Sequence, residues 1–262
     1  MSPPLYLYKY RSLRDGLGRH ATRIALLEHA IYFPIYAMFN DPFDCNLDVS
    51  PIADKSTCTA RLREINPTMS EAELAELVER EMSPERVAAI DASVRAGRAR
   101  TLEGVGILSL SARPDDLVMW SYYADGHRGV CLQFRLTGAK LFGCDLTQVS
   151  YRPEAPPFTV YDRIDEHWAR RSLSTKALAW QHEQEWRIIW RIPGMNNFPP
   201  QDLTGVILGA QISSEDRAQV LDWIRASCSA PLCYQARRKV ASFGIEILPV
   251  DAAAGGSRPT TG

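Results

Sequence analysis

Several features that would narrow the function are missing from this sequence. Its six cysteines are scattered and form no C-x-x-C pair, so we expect neither a disulfide framework nor a cysteine metal site. The five histidines show no H-E-x-x-H or other metal spacing, and we therefore expect no metal cofactor. The sequence has no run of about 18 apolar residues and no signal-peptide core at its N-terminus. We therefore expect a cytoplasmic protein without a membrane partner.

The sequence also lacks an excess of charge of either sign. Its 30 Lys and Arg residues nearly balance 31 Asp and Glu, which leaves a formal net charge of -1. No overall field therefore steers the protein to nucleic acid or to a membrane, and such a partner would need a local patch. The 262 residues, 45% of them hydrophobic, are typical of a globular protein with a substantial core.

The most informative stretch present is Lys176–Ile192. From Glu183 onward its residues alternate with a period of two, which predicts a half-buried strand. The predicted apolar face holds Gln184, Trp186, Ile188, Trp190 and Ile192, and the polar face holds Glu183, Glu185, Arg187 and Arg191. Two carboxylates at i and i+2 point the same way, so they form either a functional site or a salt-bridged, solvated strand face.

Other patterns outline the rest of the chain. Leu5–Arg11 and Glu103–Ser111 predict strands, and Ser70 with Glu73 predicts a capping box that opens a helix. Residues 50–68 are polar and predict no regular element. We expect a single domain over residues 1–250, a helical insertion at about 69–102, and a disordered tail over 251–262.

Two short polar groups are further candidates for a site. Asn40 and Asp41 lie between Phe39 and Phe43 and suit an Asx turn, which serves structure and ligand contact equally well. Ser109 and Ser111 share one face of a predicted central strand. A buried hydroxyl needs a partner, and a backbone carbonyl would satisfy it as well as a ligand would.

In chain order, Arg11, Ser109-Leu-Ser111 and Glu183-Gln-Glu185 resemble the Arg, Ser-x-Ser, Glu-x-Glu signature of the ADP-ribosyltransferase superfamily. The resemblance implies an α+β fold with a mixed, mostly antiparallel split β-sheet core and flanking helices. A second resemblance, to a widespread bacterial family of unknown function, spans roughly residues 5 to 250. It rests on Leu5–Ser12, Phe39–Asp44, Met119–Ala124 and Glu185–Arg187.

The transferase resemblance implies NAD as co-substrate and assigns roles to particular residues. Arg11 would bind the phosphates or ribose of NAD, and Ser109 and Ser111 would brace the nicotinamide ribose and the catalytic carboxylate. Glu185 would stabilise the oxocarbenium-like charge, and Glu183 would orient or deprotonate the nucleophile. The remaining candidates are aromatic: Trp120, Tyr123 or Tyr32 against nicotinamide, and Trp180 together with Asn40 and Asp41 for the acceptor.

We therefore predict an NAD-dependent ADP-ribosyltransferase or NAD glycohydrolase acting on an unknown protein or nucleic-acid acceptor, as a toxin or phage-defence effector. Two alternatives stay open. One is a non-catalytic sensor or interaction module whose aromatic residues form a binding surface. The other is a nucleic-acid-cleaving toxin that uses Glu183, Glu185 and either His182 or His127.

Overall fold

A computed structural model describes residues 3–45, 49–50, 55–155, 158–159 and 166–250. The predicted tail over 251–262 lies outside these residues. The chain divides into two compact units, one formed by residues 1–33, 107–149 and 180–262 and the other by residues 34–106 and 150–179. The expectation of one domain stays a prediction.

Among the residues that the structure describes, the first unit contains three α-helices and twelve strands, of which three are only two residues long. In chain order they are β1 (Tyr6–Arg11), α1 (Gly16–Leu27), β2 (Ala30–Phe33), β4 (Gly106–Ser111), α5 (Leu117–Tyr123), β5 (Val130–Arg135), β6 (Lys140–Leu141), β7 (Cys144–Asp145), β8 (Thr147–Gln148), β12 (Glu185–Trp190), β13 (Gly194–Asn197), β14 (Leu203–Leu208), α7 (Ser214–Ala226), β15 (Leu232–Arg238) and β16 (Ile245–Pro249). Short 3-10 helices cover Leu178–Glu183 and Pro200–Asp202.

Eight of these strands form one sheet in the order β16-β15-β14-β5-β1-β4-β12-β8. The pairing of β14 with β15 is parallel, whereas β1 with β4, β1 with β5 and β15 with β16 are antiparallel. The predicted α+β class with a mixed, mostly antiparallel sheet and flanking helices is therefore confirmed.

The two faces of this sheet are covered by different helices. On one face, which we call the α1/α7 face, strand residues such as Leu110, Val130 and Trp186 pack with Leu26 of α1 and Val220 of α7. On the other, the α5 face, a smaller cluster surrounds Trp120 of α5. Its members from the strands are Tyr10, Cys131, Ile207, Ala236 and Ile245.

The second unit is largely helical. Its elements are a 3-10 helix (Tyr36–Met38), β3 (Val49–Ser50), α2 (Lys55–Ile65), α3 (Glu71–Glu81), α4 (Pro84–Glu103), β9 (Ser150–Arg152), β10 (Phe158–Thr159), α6 (Glu166–Leu173) and β11 (Thr175–Ala177). The predicted capping box is present, because the Ser70 side chain accepts from Glu73 N and the Glu73 side chain accepts from Ser70 N.

Helix α2 corrects the sequence-based expectation for residues 50–68. The helix has few apolar residues among its charged ones, so its sequence shows no clear helical periodicity of apolar residues. The helix nevertheless buries Cys58 and packs Leu62 against Leu74 and Val78 of α3. Tertiary packing of this small cluster therefore stabilises α2, although the local sequence pattern does not predict a helix there.

Candidate functional site

The acidic pair is placed differently from the sequence-based prediction. Glu183 ends the 3-10 helix Leu178–Glu183, and the strand begins only at Glu185. Between them Gln184 has a φ of 44°, which lies in the left-handed region and breaks the extended backbone. Glu183 and Glu185 are therefore not at i and i+2 of one strand, and the prediction of a strand from Glu183 is wrong by two residues.

The burial of β12 also differs from the half-buried pattern. Glu185, Trp186, Arg187 and Ile188 are all buried, so both faces of the strand are covered where it begins. Trp190, predicted for the apolar face, is instead 43% exposed. The charged residues at the start of β12 consequently form an internal polar site and not a solvated strand face.

Two hydrogen bonds from the end of β4 hold the segment that contains the acidic pair. The Ser111 hydroxyl donates to the carbonyl oxygen of Glu183 at 2.7 Å, and the amide of Ala112 donates to the carbonyl of Gln184 at 3.0 Å. Ser111 also accepts from the amide of Arg113 at 3.1 Å. Its hydroxyl therefore has protein partners, and its observed role is to brace the segment that contains Glu183.

Tyr123, at the end of α5, contacts the first carboxylate directly. Its hydroxyl donates to Oε1 of Glu183 at 2.7 Å, and Glu183 is only 3% exposed. Hydrogen bonds to a charged acceptor are stronger than those between neutral groups. The contact holds the Glu183 side chain toward α5. Sequence reasoning named Tyr123 only as an aromatic surface for nicotinamide and missed this hydroxyl contact.

Glu185 forms a bidentate ion pair with Arg187, two residues along β12. Nε of Arg187 lies 2.7 Å from Oε1 of Glu185 and Nη2 lies 3.0 Å from Oε2. The side chains are 4% exposed for Glu185 and 0% for Arg187. A parallel fork of this kind favours the charged forms of both groups in a place where water cannot solvate them.

Strand alternation places these groups on one face of the sheet. Trp186 and Ile188 belong to the cluster on the α1/α7 face, so the alternating residues Glu185 and Arg187 lie on the α5 face. Leu108 and Leu110 of the neighbouring strand β4 belong to the same cluster. By the same reasoning Ser109 and Ser111 also lie on the α5 face, beside β12 in the strand order. Ser109, Ser111 and Glu185 therefore lie on the same face of neighbouring strands.

Arg11 does not join this group, which corrects the prediction. It lies directly opposite Val130 across β1 and β5, and Val130 belongs to the α1/α7 cluster. Because opposite residues of an antiparallel pair point to the same side, Arg11 lies on the α1/α7 face. The guanidinium that accompanies the hydroxyls and carboxylates is that of Arg187.

The environment of Arg11 is nevertheless unusual. Its Nε is buried and has no hydrogen-bond partner among the residues that the structure describes. Burial lowers the pKa of Arg11 to about 10, because a desolvated guanidinium is less stable in its charged form. The group still carries its charge at neutral pH.

Trp120 is part of the core and does not line the site. It is fully buried, its indole N–H donates to the carbonyl of Pro114 at 2.8 Å, and its ring meets Tyr10 edge-on at 5.2 Å. No face of its ring is left for nicotinamide in this structure. The prediction for Trp120 is corrected to a structural role, in which it anchors the loop after β4.

The remaining aromatic candidates lie near or beyond the site. Tyr32 is 39% exposed and belongs to β2, which pairs with β13 in a separate two-stranded sheet. Trp180 lies in the 3-10 helix before Glu183, with its ring 6.1 Å from that of His182.

Asn40 and Asp41 belong to the second unit. Asp41 accepts from the amide of Phe43 at 2.9 Å, which confirms the predicted Asx turn. The same loop contains a feature that sequence reasoning missed. Asp44 forms an ion pair at 3.2 Å with Lys176, and their side chains are 2% and 5% exposed. The loop that contains the turn therefore places the buried carboxylate of Asp44 beside the buried amine of Lys176.

The histidines of the nuclease alternative are engaged elsewhere or lie beside the site. His127 stacks on Trp120 with ring centres 6.2 Å apart, and burial lowers the pKa of its imidazole. His182 precedes Glu183 in the 3-10 helix. Among the described residues no group of three or more His, Cys, Asp or Glu side chains is arranged to hold a metal ion.

A family model described as "Protein of unknown function (DUF2971)" matches residues 119–188. This match runs from α5 to β12 and so includes Tyr123, Glu183, Glu185 and Arg187. No curated protein matches the chain, and no solved structure does. Within the part of the chain that the structure describes, no helix is both long and apolar enough to cross a membrane.

Proposed function

We propose that the chain is an NAD-dependent ADP-ribosyltransferase or NAD glycohydrolase that uses the acidic groups on the α5 face. The observation that carries the proposal is the grouping of Ser109 and Ser111 with Glu185 on neighbouring strands, next to Glu183. A serine-bearing strand beside a strand that opens with a glutamate is the arrangement that the superfamily resemblance implies. It is also chemically suited to a ribose, which presents hydroxyls and develops positive charge.

In this proposal Glu185 supplies a fixed negative charge. Its bidentate pairing with Arg187 keeps it ionised and oriented, and a preorganised charge needs no rearrangement when an oxocarbenium-like centre forms. Arg187, and not Arg11, is thus the guanidinium beside the two serines and Glu185. It holds the carboxylate and does not bind the phosphates of NAD.

Glu183 orients or deprotonates the accepting nucleophile. Tyr123 holds one of its oxygens at 2.7 Å, which sets the direction of the carboxylate. Because Glu183 and Glu185 are only 3% and 4% exposed, binding of NAD requires the segment around Gln184 to open. The acceptor is a protein or nucleic acid if the group is transferred, and water if NAD is hydrolysed. The biological role of the protein would be that of a cytoplasmic toxin or phage-defence effector.

The test is release of nicotinamide from NAD by the full chain. We expect the wild-type protein to release it and Glu185→Gln to lose about 10²- to 10³-fold in rate, the usual effect of removing one preorganised electrostatic contact. Glu183→Gln should impair transfer of a labelled ADP-ribosyl group to an acceptor more than it impairs hydrolysis. Asp222→Asn, which changes a side chain that is 73% exposed on α7, is the matched control and should keep full activity.

Circular dichroism and urea unfolding show whether each variant is folded before its activity is interpreted. An absence of nicotinamide release from the wild-type chain would count against the proposal, and so would an unchanged rate in a folded Glu185→Gln variant. Equal losses of transfer and hydrolysis in Glu183→Gln would remove the role given to Glu183.

A second candidate, a non-catalytic interaction module, is favoured by the outer surface of α5. Leu117, Val118 and Tyr122 are 39%, 38% and 66% exposed, and apolar groups on one short helix are typical of a contact surface. In that case Glu185 and Arg187 are a structural pair, and NAD is not turned over. Inactivity toward NAD, together with loss of stability in Glu185→Gln, would favour this candidate.

A further inference from the structure

The hairpin that joins β15 to β16 exposes two apolar side chains completely. Val240 and Phe243 have relative exposures of 102% and 103%, so no described part of the chain covers them. The loop is nonetheless a defined turn, because the amide of Lys239 donates to the carbonyl of Gly244 at 3.0 Å. An apolar side chain held in water forgoes the stabilisation that burial provides. Two of them at one ordered tip are therefore suited to a partner that can bury them.

Three consecutive cations precede this tip. Arg237, Arg238 and Lys239 are exposed, and no ion pair joins them to any carboxylate of the described residues. The hairpin between Leu232 and Pro249 contains one acidic residue, Glu246, which lies opposite Arg237. The tip consequently carries a local positive charge, although the whole chain has a net charge of -1.

We propose that this loop docks the protein on the surface of a membrane that contains anionic lipids. Val240 and Phe243 would enter the boundary between headgroups and acyl chains, and the three cations would contact the lipid phosphates. Apolar side chains next to Lys and Arg are the combination that binds to such an interface. The long stems of Arg and Lys also allow their charges to remain at headgroup level while the apolar tip enters.

A nucleic acid fits the exposed residues of this loop less well as a binding partner. Its bases stack on aromatic rings and on guanidinium planes, which would use Phe243 and the arginines. Val240 has no π face, yet it is as exposed as Phe243. Burial of an aliphatic and an aromatic side chain together needs an apolar medium, which a lipid surface supplies and a polynucleotide does not.

The proposal revises the sequence-based expectation of no membrane partner. That expectation rested on the lack of a long apolar run, which bears on spanning segments. Docking through a loop needs only a few apolar side chains and a local basic patch. It also uses residues outside the α5-face site, so it stands or falls independently of the proposed NAD chemistry.

The test is co-sedimentation of the full chain with vesicles of phosphatidylcholine alone or with roughly 30% phosphatidylglycerol, a fraction that gives a strong negative surface potential. We expect binding to the anionic vesicles, weakened by high salt because exposed charges are screened. The double variant Val240→Ser/Phe243→Ser should reduce the partition coefficient at least about tenfold. Arg238→Gln/Lys239→Gln should reduce it roughly 25-fold, since each surface cation contributes about a fivefold factor.

Matched controls change the same residue types elsewhere in the same unit. Leu17→Ser removes an apolar side chain that is 81% exposed on α1, and Arg191→Gln removes an exposed cation after β12. Both should bind vesicles like the wild type. The proposal is overturned if the wild type ignores anionic vesicles or if Val240→Ser/Phe243→Ser binds them unchanged. It is also overturned if the cation variant loses binding to single-stranded DNA while its vesicle binding is unaltered.

Discussion

The pair formed by Glu185 and Arg187 is the residue-scale feature with the largest expected consequence. Both side chains are removed from water, and their forked contact compensates the cost of that burial. A pair of this kind is not itself a large source of stability. Loss of one partner is costly because it leaves the other charge buried without compensation.

We therefore expect Arg187→Met to lower the free energy of unfolding by about 3 to 5 kcal/mol. The double variant Glu185→Leu/Arg187→Met should lose less than the sum of the two single changes, because it removes both charges of this contact together. Urea unfolding of the wild type, Arg187→Met, Glu185→Leu and the double variant measures the single and the combined losses of stability. The matched control is Arg225→Met, since Arg225 pairs with Asp222 on the surface with side chains 67% and 73% exposed.

The control should lose at most about 1 kcal/mol, as is usual for exposed ion pairs. Additive effects of the two buried changes would show that Glu185 and Arg187 do not act as a pair. The same variant bears on the proposed chemistry, since Arg187→Met removes two hydrogen bonds that orient the Glu185 carboxylate.

At the scale of single elements, α3 is the helix whose start the sequence predicts most clearly. It begins with the capping box of Ser70 and Glu73. The Ser70 hydroxyl accepts from the amide of Glu73 at 3.3 Å, and the Glu73 carboxylate accepts from the amide and hydroxyl of Ser70 at 3.0 and 2.6 Å. These contacts satisfy donors that the first turn of a helix otherwise leaves to water.

Ser70→Ala should reduce stability by about 1 kcal/mol at neutral pH. Amide hydrogen exchange of the first turn of α3 measures the effect locally. Thr68→Ala, an exposed change two residues earlier, is the control and should stay within about 0.5 kcal/mol of the wild type. Equal exchange rates in Ser70→Ala and the wild type would contradict the contribution of the box.

The effect should depend on pH. The hydrogen bonds from Ser70 lower the pKa of Glu73 below its usual value, so the fold favours the ionised carboxylate. The corresponding stability is present above the ordinary glutamate pKa and declines as the pH falls through the lowered value. The difference between the wild type and Ser70→Ala should therefore shrink in acid.

Helix α2 and the junction before β12 show where element-level prediction fails. The apolar residues Cys58 and Leu62 of α2 are too few to produce a periodic signal, and they matter only because α3 covers them. At Glu183 the alternation of charged and apolar residues predicted a strand. The positive φ of Gln184 ends this alternation. The Ser111 hydroxyl and the Ala112 amide stabilise that conformation by donating hydrogen bonds to the carbonyls of Glu183 and Gln184.

At the scale of the whole molecule, the first unit depends on a sheet whose strands come from distant parts of the chain. Strand β1 lies between β4 and β5, and β12 reaches the sheet only after the residues of the second unit. Its core lies on both faces of the central strands. Leu132 of β5 is completely buried there and packs in the α1/α7 cluster.

Leu132→Ala should therefore lower the free energy of unfolding of this unit by about 2 to 5 kcal/mol, the usual cost of a cavity left by a core leucine. Tryptophan fluorescence during urea unfolding provides the measurement. Leu232→Ala, which changes a leucine 63% exposed on β15, should alter stability by less than about 0.5 kcal/mol. A loss in Leu132→Ala as small as that in Leu232→Ala would mean that β5 is not at the centre of the core.

The sequence by itself determined strands such as β1 and β4, the capping box at Ser70 and the Asx turn at Asp41, because propensity, capping and short-range periodicity are local properties. The fold class followed from the resemblance in the order of three short motifs. It also placed Ser109 and Ser111 on one face of a strand, since alternation along a strand needs no tertiary information. That Glu185 shares this face depends on the position of β12 beside β4 in the sheet. Only the tertiary structure decided that Arg11 lies on the opposite face, that Trp120 is enclosed and that Arg187 pairs with Glu185. Those outcomes depend on strand order, register and the helix that covers each face, which are set by packing between residues far apart in the chain.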